Sequence, residues 1–258
     1  MAEYLSTFLT PSLPGWQLLL AALIIFAAAI LRGFSGFGFS ALTVTSLALF
    51  MPPKLVVPII FLLEIVASIH LLPGVLKQID RRLLSQLSIG MMLFTPLGVW
   101  LLAVLPASQT RLVICLLVLA IALLLLLGIK QKNANPRLPL ITGCISGAVN
   151  GAAAIGGLPV VLMMLYSGLS AVATRATLVA YFIITDLYAM AWVGHQNLLS
   201  DEVIQLSVLA IIPMTLGISL GSWLFKRSSQ GNFRTLALVL LLSVSSIGLL
   251  RSVLEILT

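Results

Sequence analysis

Few side chains in this 258-residue chain can do chemistry, and those lying within apolar runs stand out because each is costly there. Arg32 ends the first arm of an apolar stretch, and a cation buried at that depth points to an anionic partner. The competing reading is a long side chain snorkelling to an interface. Glu64 stands about halfway along the second apolar stretch and Asp186 about halfway along the sixth. Either acid is a proton carrier or the counter-ion of Arg32. His70 follows Glu64 by six residues, and an imidazole there suits a proton relay or simply marks an interface. Asn150 can hydrogen-bond a ligand or cap a helix end. Arg175, at the mouth of the sixth stretch, draws anions in or is an ordinary cytoplasmic-side cation. His195 falls in an outer loop and is given no role.

Two glycine-rich interruptions supply the rest of the candidate site. The first runs Arg32-Gly-Phe-Ser-Gly-Phe-Gly-Phe-Ser40. The second runs Ser146-Gly-Ala-Val-Asn-Gly-Ala-Ala-Ala-Ile-Gly-Gly-Leu-Pro159, roughly 115 residues later. Gly33, Gly36 and Gly38, and then Gly147, Gly151, Gly156 and Gly157, permit tight turns and close backbone approach. A helix stopped within lipid leaves N–H and C=O groups unpaired, so such a break persists only inside protein or beside water. Return arms beginning near Ser40 and near Leu158 would aim their N-terminal N–H groups at the hairpin tips, which makes a natural anion site. The candidate substrate-binding residues are therefore Arg32, Ser35, Gly36, Gly38, Asn150, Gly151, Gly156, Gly157 and Arg175. The proton-coupling candidates are Glu64, His70 and Asp186. Runs of small residues also serve as packing surfaces between membrane helices. Their occurrence at matching positions of both halves favours a substrate pathway.

The elements that must position these residues follow from composition. Hydrophobic residues make up 60% of the chain and charged residues 8%, with a mean hydropathy of +1.19. A soluble domain cannot hide that much apolar surface, so lipid is the expected solvent. The apolar runs are about 20 residues long, which selects helices over the ~10-residue alternations of a barrel. Eight stretches emerge, at 15–51, 55–73, 84–104, 111–129, 138–167, 174–194, 203–224 and 235–254. The first and fifth are too long for one crossing, and each contains an interruption. The first 31 residues hold no Lys or Arg, so they lack the basic start of a signal peptide and read as mature structure. The net charge of +7 fits basic cytoplasmic loops rather than nucleic-acid binding.

The distribution of Lys and Arg indicates how the broken segments run. Single crossings would place seven on one face and six on the other, with no bias. Hairpins that enter and return place ten on one face: Lys77, Arg81, Arg82, Lys130, Lys132, Arg137, Arg175, Lys226, Arg227 and Arg234. Three, Lys54, Arg111 and Arg251, then lie opposite. The positive-inside rule selects the hairpins. Each half then has three full crossings plus a hairpin, an odd count that inverts one half against the other. The expected fold is an all-α polytopic membrane protein of two inverted repeats, residues 1–129 (hairpin 15–51, helices 55–73, 84–104, 111–129) and 130–258 (hairpin 138–167, helices 174–194, 203–224, 235–254), with both termini outside.

Enzyme chemistry finds no support. The chain has no Gly-x-x-x-x-Gly-Lys-Ser/Thr and no His-Glu-x-x-His. Cys115 and Cys144 lack metal-ligand spacing and imply neither a disulfide framework nor a zinc site. No metal and no cofactor is expected.

The second interruption, Gly143-Cys-Ile-Ser-Gly-Ala-Val-Asn-Gly-Ala-Ala-Ala-Ile-Gly-Gly-Leu-Pro159, resembles the sulfite exporter TauE/SafE family, also called toluenesulfonate uptake permeases. Leu169-Ser-Ala-Val-Ala-Thr-Arg-Ala-Thr-Leu178 is similar to that family's small-residue, Thr-containing helix start. Gly33-Phe-Ser-Gly-Phe-Gly-Phe39 matches more loosely, with no proline where the second half has Pro159. The resemblance implies a permease of the plasma (bacterial inner) membrane for small sulfur-containing or carboxylated anions such as sulfite, sulfonates or sulfoacetate. The partners would be that anion and the bilayer. A secondary transporter working by alternating access is the leading expectation. An anion channel with the same site, or a non-transporting scaffold for other membrane proteins, are the alternatives.

Overall fold

The computed structural model describes residues 13–127, 137–164 and 169–225, together with 227, 242, 246–250 and 254. The expected last span, 235–254, lies largely outside the described residues, as do Lys130, Lys132, Lys226, Arg234 and Arg251. The long apolar runs form nine α-helices among the described residues, with no strand. They are α1 (Gly15–Ser35), α2 (Phe39–Leu47), α3 (Pro53–Leu71), α4 (Arg81–Val104), α5 (Ala107–Leu127), α6 (Leu138–Ala153), α7 (Gly157–Met164), α8 (Ala171–His195) and α9 (Asp201–Phe225). Six of the helical spans are long and apolar enough to cross a membrane. Large side chains such as Leu19, Leu93, Leu97, Ile212 and Leu216 stay exposed on their outer faces, as expected where lipid replaces water. The protein is an all-α polytopic membrane protein.

Local signals set the helix ends. Asp80 accepts the Leu83 N–H at 3.0 Å to start α4, and Ser170 accepts the Ala173 N–H at 3.2 Å to start α8. Pro53 opens α3, where a missing N–H costs nothing. Pro58, Pro96 and Pro213 sit inside helices, which neighbouring helices tolerate in membrane proteins.

Both long stretches are broken, at residues 36–38 and 154–156. The first turn uses glycine twice, with Gly36 at φ 81° and Gly38 at φ 90°. The second turn does not. Its left-handed residue is Ala154, at φ 55°, a conformation that costs a residue with a Cβ about 1–2 kcal/mol. Gly147 and Gly151 instead lie within α6, where a Cβ would strike the α4 backbone at Met91, or at Thr95 and Val99.

Each broken arm packs chiefly on a helix distant in sequence. Arm α1 lies along α9, where Gly33 meets Ile218 and Ser222, Gly217 meets Phe26 and Ala29, and Gly221 meets Ile30. Arm α6 lies along α4, where Gly143 meets Leu87 and Gly90, and Gly151 meets Thr95 and Gly98. In both pairs residue numbers rise together, so the partners run parallel. Glycine lets the two backbones touch, the usual means of close helix packing without a hydrophobic driving force. Helices α3 and α8 pack on each other between these pairs.

Candidate functional site

The two breaks deliver their polar side chains to α3 and α8. Gly36 donates its N–H to the Arg32 carbonyl at 2.7 Å, and Ala154 donates to the Asn150 carbonyl at 2.7 Å. Arg32 and Asn150 therefore hold the same position, four residues before a left-handed cap. Each side chain then reaches an acid on the long helix that follows. An Arg32 guanidinium nitrogen (NH2) lies 2.7 Å from Glu64 Oε2 and donates to Ser68 Oγ at 2.7 Å. The Asn150 amide donates to Asp186 Oδ1 at 2.9 Å and to Thr185 Oγ1 at 3.3 Å.

All four side chains are sealed from solvent, at 0% exposure for Arg32, 2% for Glu64, 1% for Asn150 and 2% for Asp186. A buried ion pair is weak evidence for stability, because desolvation offsets much of the attraction. Its retention in an otherwise apolar interior is therefore informative. Arg32 Nε and its other terminal nitrogen, NH1, have no hydrogen-bond partner among the described residues, and neither has Asp186 Oδ2. Such groups are exceptions in folded proteins and call for an explanation. Asp186 also lies within electrostatic reach of Glu64 and Arg32.

Other residues tie the breaks together. Ser40, in the first turn of α2, lies near the Glu64 carboxylate, whose two oxygens have no hydrogen-bond partner among the described residues. The Phe182 ring lies 4.6 Å from the Arg32 guanidinium carbon, a cation–π distance. The same ring fills the space a Cβ on Gly157 would need, so Phe182 bridges the first break and the start of α7. At the second break Tyr181 donates to Ser146 Oγ at 2.7 Å, and Ser146 donates to the Gly156 carbonyl at 2.6 Å. The Gly156 N–H donates to Asn150 Oδ1 at 3.1 Å. That turn is closed on itself, and the Gly156 N–H is already engaged.

The expected site residues divide accordingly. Arg32, Glu64, Asn150 and Asp186 meet at the centre, with Gly36 and Gly38 in the first turn, Gly156 in the second and Gly157 following it. Partly buried Arg175 reaches the first break: it donates to the Gly33 carbonyl at 3.3 Å, and its side chain covers Gly36. Gly151 stands apart in the α4–α6 contact. His70 is exposed in the last turn of α3, about 9 Å along the helix from Glu64. The Ser35 side chain lies outside the described residues. Sequence reasoning missed Ser68, Ser146 and Phe182, although Glu64/Ser68, Ser146/Asn150 and Phe182/Asp186 are each spaced by four and so share a helix face.

Two cavities flank the broken segments, of about 370 Å³ beside α1 and α9 and about 470 Å³ beside α5 and α6. Their walls are almost wholly apolar, from Leu18, Ile25 and Leu206 in one to Ile121, Val149 and Leu162 in the other. They suit lipid chains rather than anions. No group of three or more His, Cys, Asp or Glu able to hold a metal occurs among the described residues.

The family model described as sulfite exporter TauE/SafE matches residues 21–247, which includes both breaks and all four central residues. A search of curated proteins and a search of solved structures each returned no match.

Proposed function

This chain belongs to the sulfite exporter TauE/SafE family of membrane transporters, and from that premise we propose that it moves a small sulfur-containing or organic oxyanion by alternating access, with the anion bound at Arg32. The observation that carries this reading is a guanidinium at 0% exposure with two donor nitrogens unused. Planar donors of that kind fit the oxygens of a sulfonate, sulfite or carboxylate. The N-terminal turn of α2 and the side chain of Arg175 add positive potential at the same break.

Alternating access is supported by the closure of the site, since its four central side chains are at most 2% exposed. Reaching them requires the helices to part, whereas a conducting channel needs a continuous path. It is also supported by how the arms pack. Asp80, at the start of α4, donates its N–H to Thr177 Oγ1 near the start of α8 at 3.0 Å, so those helix starts share one face. Arm α6 runs parallel to α4, and arm α1 parallel to α9, which follows α8 back across. The broken segments then enter from opposite faces, as inverted repeats at 1–129 and 130–258 require. The side bearing Lys77, Arg81 and Arg82 would be cytoplasmic, which leaves the N-terminus outside. Glu64 and Asp186 are the candidates for coupling transport to protons.

The test is uptake or efflux of labelled sulfite and sulfoacetate in proteoliposomes. Arg32→Gln abolishes flux if this reading holds, while wild-type flux unchanged by that substitution removes Arg32 from the site. Flux that never builds a gradient under any proton gradient would indicate a channel.

A further inference from the structure

Glu64 occupies the place where an anion should go. Three features of an anion site converge on its carboxylate: the Arg32 guanidinium at 2.7 Å, the first turn of the nine-residue helix α2, where Ser40 lies near it, and burial at 2% exposure. Helix N-termini and arginine forks are the standard recognition elements for oxyanions. Here both are turned on a side chain of the protein itself. At the same time Arg32 retains two donors with no partner at all. That arrangement is saturated in charge but not in hydrogen bonds.

On that basis we propose that Glu64 is a tethered competitor for the transported anion, and that the anion gains Arg32 and the α2 N-terminus only when Glu64 is protonated or swings away. This rests on the reading that the anion binds at the first break, and it specifies how a proton is coupled to it. A substrate oxyanion and an ionised Glu64 cannot share one guanidinium, because two like charges in a dry site repel strongly. Protonation of Glu64 removes that repulsion and turns its carboxyl into a hydrogen-bond donor able to face the anion. Binding of one anion is thereby linked to uptake of one proton. The charged groups around Glu64 are consistent with this. From α1 it faces Arg32, and from α8 it faces Asp186, with Arg175 of the same helix lying over the first break at Gly36. From α2 it meets only the uncharged Ser40. On the other helices packed against α3, α4 carries Arg81 and Arg82 in its first turn, α5 holds Arg111 against the Ala48 carbonyl beyond the far end of α2, α6 is preceded by Arg137, and α9 carries Asp201 and Glu202 in its first turn.

The experiment is equilibrium binding of methanesulfonate to the purified full-length protein, with proton uptake followed calorimetrically in buffers of different ionisation enthalpy. The charge of this probe is constant across about pH 5.5–8.5, so any pH dependence belongs to the protein. Wild-type affinity should rise as pH falls, by up to about tenfold per unit, with up to one proton taken up per anion. Glu64→Gln keeps the shape and removes the charge, so its affinity should exceed wild type at pH 8 and vary little with pH. Wild-type binding without proton uptake overturns the proposal. So does a Glu64→Gln variant that binds as poorly as Arg32→Gln, since Glu64 would then only hold the arginine in place. Absence of binding by wild type to methanesulfonate, sulfite and sulfoacetate at every pH overturns instead the anion reading beneath it.

Discussion

Neutralising Arg32 and Glu64 one at a time and together separates architecture from function. Both side chains are essentially removed from solvent and meet at 2.7 Å. Removing one member of a buried pair leaves the other uncompensated, at a cost of about 3–5 kcal/mol, whereas replacing both with neutral groups of similar size is close to neutral. Arg32→Gln strands Glu64 at 2% exposure, so it should fall in that range. At about 2–4 °C per kcal/mol for a chain of this size, its melting temperature should drop by roughly 6–20 °C. The double variant Arg32→Gln/Glu64→Gln should recover most of that loss, giving a coupling energy of about 3 kcal/mol or more in the cycle. Thermal unfolding of the four proteins in one detergent measures it. Anion binding should not recover with it, because the double variant has regained its fold but still lacks the guanidinium. A single-variant loss below about 1 kcal/mol would mean that the pair is solvated, and the reasoning from burial would fail. A stable double variant that binds anions as wild type does would make the pair purely structural.

Three further outcomes follow from the backbone. Gly151→Ala should cost about 1–3 kcal/mol because its Cβ would meet the α4 backbone at Thr95 and Val99; Gly74→Ala, with nothing near its Cβ, should stay within about 0.5 kcal/mol in the same melting assay. Gly36→Ala should destabilise by about 1–2 kcal/mol, since its φ of 81° and the Arg175 side chain both oppose a Cβ, while Ala154→Gly at φ 55° should be neutral or stabilising; equal losses from both would refute the left-handed geometry of the two turns. A cysteine at Ser170, exposed at the start of α8, should react with an impermeant maleimide only from the cytoplasmic face of oriented vesicles, and labelling from outside would refute the hairpin topology.

Much of this arrangement was visible in the sequence because lipid imposes simple rules. Run length separated helices from strands, and excess length at 15–51 and 138–167 marked the two broken segments, whose breaks appear at residues 36–38 and 154–156. Arg32, Glu64, Asn150 and Asp186 were conspicuous because polar groups are rare at such depth. The pairing between them was not visible. Whether Glu64 or Asp186 faces Arg32 depends on how α1, α3 and α8 pack, and side-chain spacing along one helix carries no information about its neighbours. The roles of individual glycines were hidden for the same reason. Gly151 and Gly36 look alike in sequence, yet one admits the α4 backbone and the other makes a left-handed turn. Ala154 shows the limit from the other side, since nothing about an alanine announces a positive φ.

The two breaks share a geometry but not a chemistry, and the difference locates the anion more narrowly than their common shape does. Arg32 and Asn150 each give a carbonyl to a left-handed cap and a side chain to an acid on the following helix. A guanidinium carries fixed charge and an amide carries none, so Glu64 has a cationic partner where Asp186 has only neutral donors. Arg175 adds its charge to the first break as well, lying over Gly36. Meanwhile the Gly156 N–H of the second turn is engaged by Asn150, and its carbonyl by Ser146. Unused donors therefore remain on Arg32, and unused acceptors remain on Glu64 and Asp186. An anion seeks donors and positive potential, both of which lie at the first break. A site placed midway between equivalent tips would put the anion against the unpartnered Asp186 oxygen, an acceptor where the anion needs a donor.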